Sequence, residues 1–426
     1  MRLSLEALLC HYASLKHSIQ LRYCYRFHKR ALRKLKNKNT IRCVFFATFE
    51  ETWKYDDVYR LMQKNERFDP IILVCPIVNY GYDNMIQRMN QCYSFFKQKG
   101  YSVQMAYDVK QSSYLDVRKN LNPDIIFYTN PYLGLIDNRY FVTEFRDVLT
   151  VYVPYFFNDT ADYELAYDEY LMNVVWRRYL ETNMHLSMAK KYSRNCGINA
   201  VVTGYPGIEP FLKNKLEDVH AGWKIKDRSF KRIIWAPHHS IYATDQYKYA
   251  SFLMFSDVMV ELANKYKDQV QFAFKPHPLL RNKLENVWGK EKTEKYYLEW
   301  AQMPNTTIVE GDYVDLFWSS DAMIHDSGSF IAEYLYLNKP VMRTLNGIDL
   351  STLHNQFGLR CLDCHYKART AEEIEVFIKN VINGVDPLKA QRTEFLNEVL
   401  KPKDSPSQNI IDDILDSIDN QILYRN

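Results

Sequence analysis

The chain has 426 residues, 47% of them hydrophobic and 25% charged, a balance that excludes a disordered polymer and calls for two domains of ordinary size. A net charge of +4 is too mild to make nucleic acid the expected partner. No apolar run approaches the roughly 20 residues that a membrane-spanning helix needs.

Charge is concentrated at the start of the chain. Arg2, Lys16, Arg22, Arg26, Lys29, Arg30, Arg33, Lys34, Lys36 and Lys38 face one acid, Glu6, within residues 1–40. Leu3, Leu5, Leu8, Leu9, Tyr12, Leu15, Ile19 and Tyr23 interleave at helical spacing. The pattern predicts a basic amphipathic extension, either lying on an anionic membrane surface or packed on the body as a solvated helix. From residue 41 strands and helices alternate: strand Ile41–Phe49, helix Tyr55–Gln63, strand Pro70–Val78, helix Asp83–Lys99 and strand Pro123–Tyr128. Strand Leu149–Val153 runs into Pro154-Tyr155-Phe156-Phe157-Asn158-Asp159, Glu164–Tyr192 reads as helix, and Ala200–Thr203 is the last strand of this half. Such alternation predicts a doubly wound domain over 41–207. A second domain is expected over 208–385, with terminal helices at 386–426 that can pack back on the first.

The second half carries polar turns at strand ends. Arg232–Ala236 runs into Pro237-His238-His239-Ser240, and Val270–Phe274 runs into Lys275-Pro276-His277-Pro278. Between them Phe252–Tyr266 has helical spacing, so the unit is strand, helix, strand. Ala322-Met323-Ile324 then empties into His325-Asp326-Ser327-Gly328-Ser329, which opens a helix containing Glu333. Free N–H groups and partial positive charge at a helix start favour phosphate, Gly328 allows close approach, and Ser327 and Ser329 offer hydroxyl donors. In open parallel sheets ligands sit beyond the carboxyl ends of strands, where all three turns fall. No metal-ligand spacing is visible, so neither a metal nor another cofactor is expected.

Ala236-Pro237-His238, Lys275-Pro276-His277-Pro278, Asp312-Tyr313-Val314-Asp315-Leu316, His325–Ser329 and Leu337-Asn338-Lys339-Pro340-Val341 resemble, in order and spacing, the motifs of the CDP-glycerol glycerophosphotransferases. With Val202-Thr203-Gly204-Tyr205-Pro206 the resemblance spans about residues 200 to 345. It implies an α/β GT-B-like fold, two doubly wound Rossmann-like domains facing a cleft. The implied reaction is transfer of a polyol phosphate from a CDP-linked donor to a lipid-linked or polymer acceptor in teichoic-acid-like or capsular synthesis. Carried across, His277 contacts the donor pyrophosphate or assists departure of CMP, with His238 and Lys275 nearby. Asp326, Ser327, Gly328 and Ser329 cradle phosphate, and Glu333 lies near the nucleotide.

The family's Trp-His-Gly segment, whose histidine is the expected base, has no counterpart after Leu149–Val153; Tyr155 or Asp159 is the residue left to take the role. Asp326-Ser327-Gly328 with Glu333 also resembles the UDP-binding segment of UDP-N-acetylglucosamine 2-epimerases, but Phe45 to Tyr55 lacks their Gly-Thr-Arg-type turn. A nucleotide-sugar glycosyltransferase and a catalytically degenerate binding subunit are the alternatives. Eight scattered cysteines suggest reduced thiols and a cytoplasmic protein peripheral to the membrane. Cys361-Leu362-Asp363-Cys364-His365 spells a haem-attachment pattern, for which a chance strand-end coincidence is preferred.

Overall fold

The computed structural model describes residues 24–213, 222–242, 244–245 and 247–425. Two compact units emerge. The first comprises the chain up to Asn158, Asp162–Glu209 and the segment from Pro402 onward; the second comprises Asp159–Ala161 and Pro210–Lys401.

In the first unit the strands are β1 (Ile41–Ala47), β2 (Phe68–Val74), β3 (Val103–Met105), β4 (Tyr107–Asp108), β5 (Ser113–Tyr114), β6 (Ile125–Tyr128), β7 (Leu149–Tyr152), β8 (Arg177–Leu180) and β9 (Ala200–Val202). All but the β4–β5 hairpin form one parallel sheet, in the order β3-β2-β1-β6-β7-β8-β9. Parallel sheets are covered on both faces, which is why β1 is apolar from Cys43 to Ala47. Cys43, Phe45 and Ala47 enter one core and Val44 and Phe46 the other.

The continuous helix expected over Glu164–Tyr192 is corrected: short helices Tyr163–Tyr167 and Tyr170–Val174 precede β8, and helix Asn183–Tyr192 follows it. Arginine pairs read as surface, yet Arg177 and Arg178 are both fully buried. Arg177 donates to Asp413 (2.9 Å), Ser417 (2.7 Å) and the Leu423 carbonyl (2.6 Å), while Tyr179 also donates to Asp413. These bonds fasten helix Pro406–Asp419, whose Ile410, Ile411, Ile414 and Ile418 complete the first core. Where that segment returns, Glu209 accepts from the Ser405 hydroxyl (2.5 Å) and from the Ser407 amide (2.7 Å) and hydroxyl (2.9 Å).

Of the basic extension, residues 1–23 lie outside the described residues. Residues 24–35 are helical, with Cys24, His28, Ala31, Leu32 and Leu35 buried against the cores and Arg26, Lys29, Arg30, Arg33 and Lys34 exposed. Over this stretch the apolar face belongs to the protein and the outward face is cationic. No helix among the described residues is long and apolar enough to cross a membrane.

The second unit holds β10 (Lys231–Ala236), β11 (Val270–Phe274), β12 (Thr306–Ile308), β13 (Ala322–His325), β14 (Val341–Thr344) and β15 (Tyr366–Ala368). They form a parallel sheet ordered β12-β11-β10-β13-β14-β15, with helix Phe252–Lys265 crossing from β10 to β11. Under the sheet Trp235 stacks on both Phe252 (5.5 Å) and Phe274 (5.0 Å). Strand order reverses at the β10/β13 boundary, the switch point where doubly wound sheets open a crevice. The helix expected beyond Ser329 is one turn, Phe330–Glu333, tightening into a 3₁₀ turn at Tyr334–Leu337. Cys361 and Cys364 are buried free thiols, and His365 hydrogen-bonds the Cys361 carbonyl, so that segment is a packed helix end.

Candidate active site

Three strand ends of the second unit converge. The ladder between β10 and β11 continues past the strands, since Lys275 donates its amide to Trp235 O (2.8 Å) and His277 to Pro237 O (3.1 Å). This holds the two histidine turns side by side. Ring centroids lie 4.3 Å apart for His238–His239, 4.2 Å for His239–His277 and 5.3 Å for His238–His277.

Hydrogen bonds fix which nitrogen of two rings carries the proton. His277 Nδ1 accepts the Leu279 amide (3.1 Å), and His238 Nδ1 accepts the Ser240 amide (3.2 Å). Ser240 Oγ, 2.8 Å from the same His238 nitrogen, already accepts the Tyr249 and Ala250 amides, so its own proton points to the ring. A nitrogen that accepts carries no proton, and both rings therefore present Nε2–H as a donor. Burial first, then the neighbouring histidines and lysines, lowers the pKa of His238 to about 2 and of His277 to about 4. Both are neutral at pH 7, and each can donate Nε2–H to an arriving phosphate while Nδ1 keeps its backbone amide.

The nitrogens of His238, His239 and His277 lie within 4.8 Å of one another, a grouping the sequence did not suggest. A metal ligand at Nε2 needs its proton on Nδ1, donated outward. Hydrogen bonding imposes the opposite on His238 and His277. The trio suits an anion.

Asp326 requires a correction. Its carboxylate is buried and accepts the amides of His238 (2.5 Å) and Ser251 (2.6 Å) and the Ser251 hydroxyl (3.0 Å). It is a brace across the switch point rather than part of a phosphate cradle, where its charge would repel the ligand. Burial raises its pKa, opposed by those hydrogen bonds and by Arg343. Ser327 Oγ accepts the Ser329 amide (3.2 Å), which leaves its proton free to donate. Gly328 is needed for space: a Cβ there would come within 3.2 Å of the Tyr249 ring. Lys275 is buried, donates to Gly311 O (2.9 Å), and is shifted down by burial. Glu333 accepts from Tyr313 (2.6 Å) beneath the Phe330 turn, so its first contact is to protein.

The two candidates for the missing base part company. Tyr155 stays in the first unit, its carbonyl accepting from Tyr205 (2.7 Å) and its hydroxyl 3.5 Å from that of Tyr132. Asp159, expected on the acceptor-side domain, clusters with the second unit, where its Oδ2 lies 3.0 Å from His354 Nδ1. Sequence reasoning passed over His354, Tyr249 and Arg343. The first two sit in loops without a motif, while Arg343 is hidden inside β14, in register with His325.

Two doubly wound units, each built on a parallel sheet, define the GT-B fold class. UDP-GlcNAc 2-epimerase from Neisseria meningitidis bound to UDP-GlcNAc shares the fold at 14% identity and a TM-score of 0.56, covering 88% of this chain and 99% of its own. The enzyme of Methanocaldococcus jannaschii does so at 13% identity and 0.53, again over 88% and 99%. At these identities the likeness establishes architecture alone. A comparison with curated proteins finds no match. Residues 168–352 match the family described as CDP-Glycerol:Poly(glycerophosphate) glycerophosphotransferase. That span contains every motif on which the resemblance was read, so the chain carries the region by which this transferase family is recognised. Tyr155, Asp159 and His354 lie outside it.

Proposed function

We propose that this protein transfers a polyol phosphate, glycerol phosphate or a close analogue, from a CDP-linked donor to an acceptor hydroxyl on a lipid-linked or polymeric cell-surface precursor. One observation carries the reading: His238 and His277 have tautomers set by backbone amides, so both aim a donor at the switch point where the donor's diphosphate would sit. The acceptor oxygen attacks phosphorus and CMP leaves. Preorganised donors at His238, His277 and Ser327, with the Lys275 charge behind them, stabilise the charge that grows on the departing phosphate.

The outward cations of helix 24–35 support contact with an anionic lipid surface, by charge rather than insertion over that stretch. Among the described residues the cysteines are free and all but Cys196 are buried, which supports a reducing, cytoplasmic setting. Incubation with CDP-glycerol, CDP-ribitol and UDP-sugars tests the reaction. Release of CMP from a CDP-polyol, lost in His277→Ala without loss of folding, is the expected result. Release of UDP instead would make the protein a sugar transferase, and tight nucleotide binding without turnover would make it a binding subunit.

A further inference from the structure

Tyr249 adjoins both the histidine trio and a second polar cluster. Its ring packs on Gly328, stands edge-on to His238 at 5.3 Å, and stacks on His354 at 5.3 Å and 16°. His354 is buried, and so is Asp159 beside it. Their positions are tightly set. Thr160 bridges to His354, Asp159 O accepts the Asn355 amide (2.8 Å), and a Cβ on Gly358 would sit 2.7 Å from that same oxygen. Asp159 Oδ2 lies 3.0 Å from His354 Nδ1, a close charge contact rather than a hydrogen bond, and both ring nitrogens of His354 are buried without a hydrogen-bond partner. Tyr249 Oη and Nε of Arg343, whose guanidinium lies 5.3 Å from the centre of the Tyr249 ring, are buried and likewise without a partner. Native interiors satisfy some 90% or more of such atoms, so a cluster of three marks a place that a polar ligand fills.

We propose that His354, oriented by Asp159, is the general base that takes the proton from the acceptor hydroxyl. The assignment rests on the transferase reading above and supplies the base for which Tyr155 and Asp159 were the only candidates. As the acceptor oxygen bonds to phosphorus, its proton moves to His354 Nε2. The bond from that phosphorus to the bridging oxygen breaks, and CMP departs with the electron pair. Asp159 stabilises the imidazolium, which then returns its proton to water. Arg343 and Cys361 lie near Asp159, and His325 and Tyr249 near His354.

The test uses the full chain with CDP-glycerol and a polyol-phosphate acceptor. His354→Gln keeps volume and polarity but offers no base, and a turnover loss of about 10²–10⁴-fold is expected, the range of general-base catalysis. Thermal protection by CMP should be unchanged. In His354→Ala, added imidazole should restore part of the rate, and Asp159→Asn should lower kcat while leaving KM for the donor in place. Near-normal turnover in His354→Gln, or an Ala variant that no imidazole rescues, overturns the assignment. An unsubstituted chain that protects with CMP but releases none from any CDP-polyol overturns the transferase reading along with it.

Discussion

Glu209 makes the stability of the first unit depend on pH in the opposite sense to most carboxylates. Its side chain is 3% exposed beside Asp57, and burial first, then the neighbouring acid, moves its pKa from an ordinary 4.5 to about 7. The folded chain therefore holds this proton more tightly than the unfolded chain. Stability from the protonated form is fully present below pH 4.5 and is lost as pH rises through about 7. A shift of about 2.5 units corresponds to about 3 kcal/mol, and for a unit of this size to a melting shift of about 6–12 °C. Glu209→Gln cannot titrate. Relative to the unsubstituted chain it should gain about 3 kcal/mol between pH 5 and pH 8, because only the unsubstituted chain must ionise a buried carboxyl over that interval. Urea unfolding at pH 5, 6, 7 and 8 on both proteins measures the difference, and Asp57→Asn should shrink it by removing the second charge. Parallel stability curves for the two proteins would refute the reasoning.

Gly358→Ala pushes a methyl into the Asp159 backbone and should cost about 1–3 kcal/mol by overpacking, read as a lower melting temperature of the second unit. Arg177→Met takes a fully buried guanidinium from Asp413, Ser417 and the carbonyls of Ile422 and Leu423 and should cost about 3 kcal/mol by urea unfolding, Asp413 keeping Tyr179 and Arg425 as partners. Because Nδ1 of His238 and of His277 is held as an acceptor, the two rings should bind nucleotide diphosphate as neutral Nε2–H donors, with no proton uptake at them between pH 6 and pH 8. Calorimetry in two buffers of different ionisation enthalpy counts the protons, and a His238→Asn/His277→Asn double variant should weaken binding without changing that count. Chelators should leave turnover unchanged, since the Nδ1 bonds of His238 and His277 oppose metal ligation.

Much of this architecture is legible in the chain because parallel strands buried on both faces leave short apolar runs, Cys43–Ala47 in β1, Ile233–Ala236 in β10, Phe272–Phe274 in β11 and Ala322–Ile324 in β13. Their polar ends identified the switch point, and His238 and His277 met there as expected. β8 escaped because its arginines look solvated, and only the returning helix, more than 200 residues later, supplies Asp413 to bury them. Asp326 misled for a related reason. A carboxylate before a Ser-Gly-Ser turn looks directed at a ligand, but the amides of His238 and Ser251 that claim it come from other strand ends. The pairing of Asp159 with His354 is likewise a product of topology, invisible to any local pattern.

Helix Pro406–Asp419 bears on how the molecule is made. It supplies four isoleucines to the core of the first unit, yet it is synthesised after the whole of the second. The second unit, continuous apart from Asp159–Ala161, has every strand it needs by Ala368. The half begun first must therefore wait, with apolar surface open, until the half begun later is in place. A chain truncated after Lys401 should show a protease-resistant second sheet and a protease-sensitive first one.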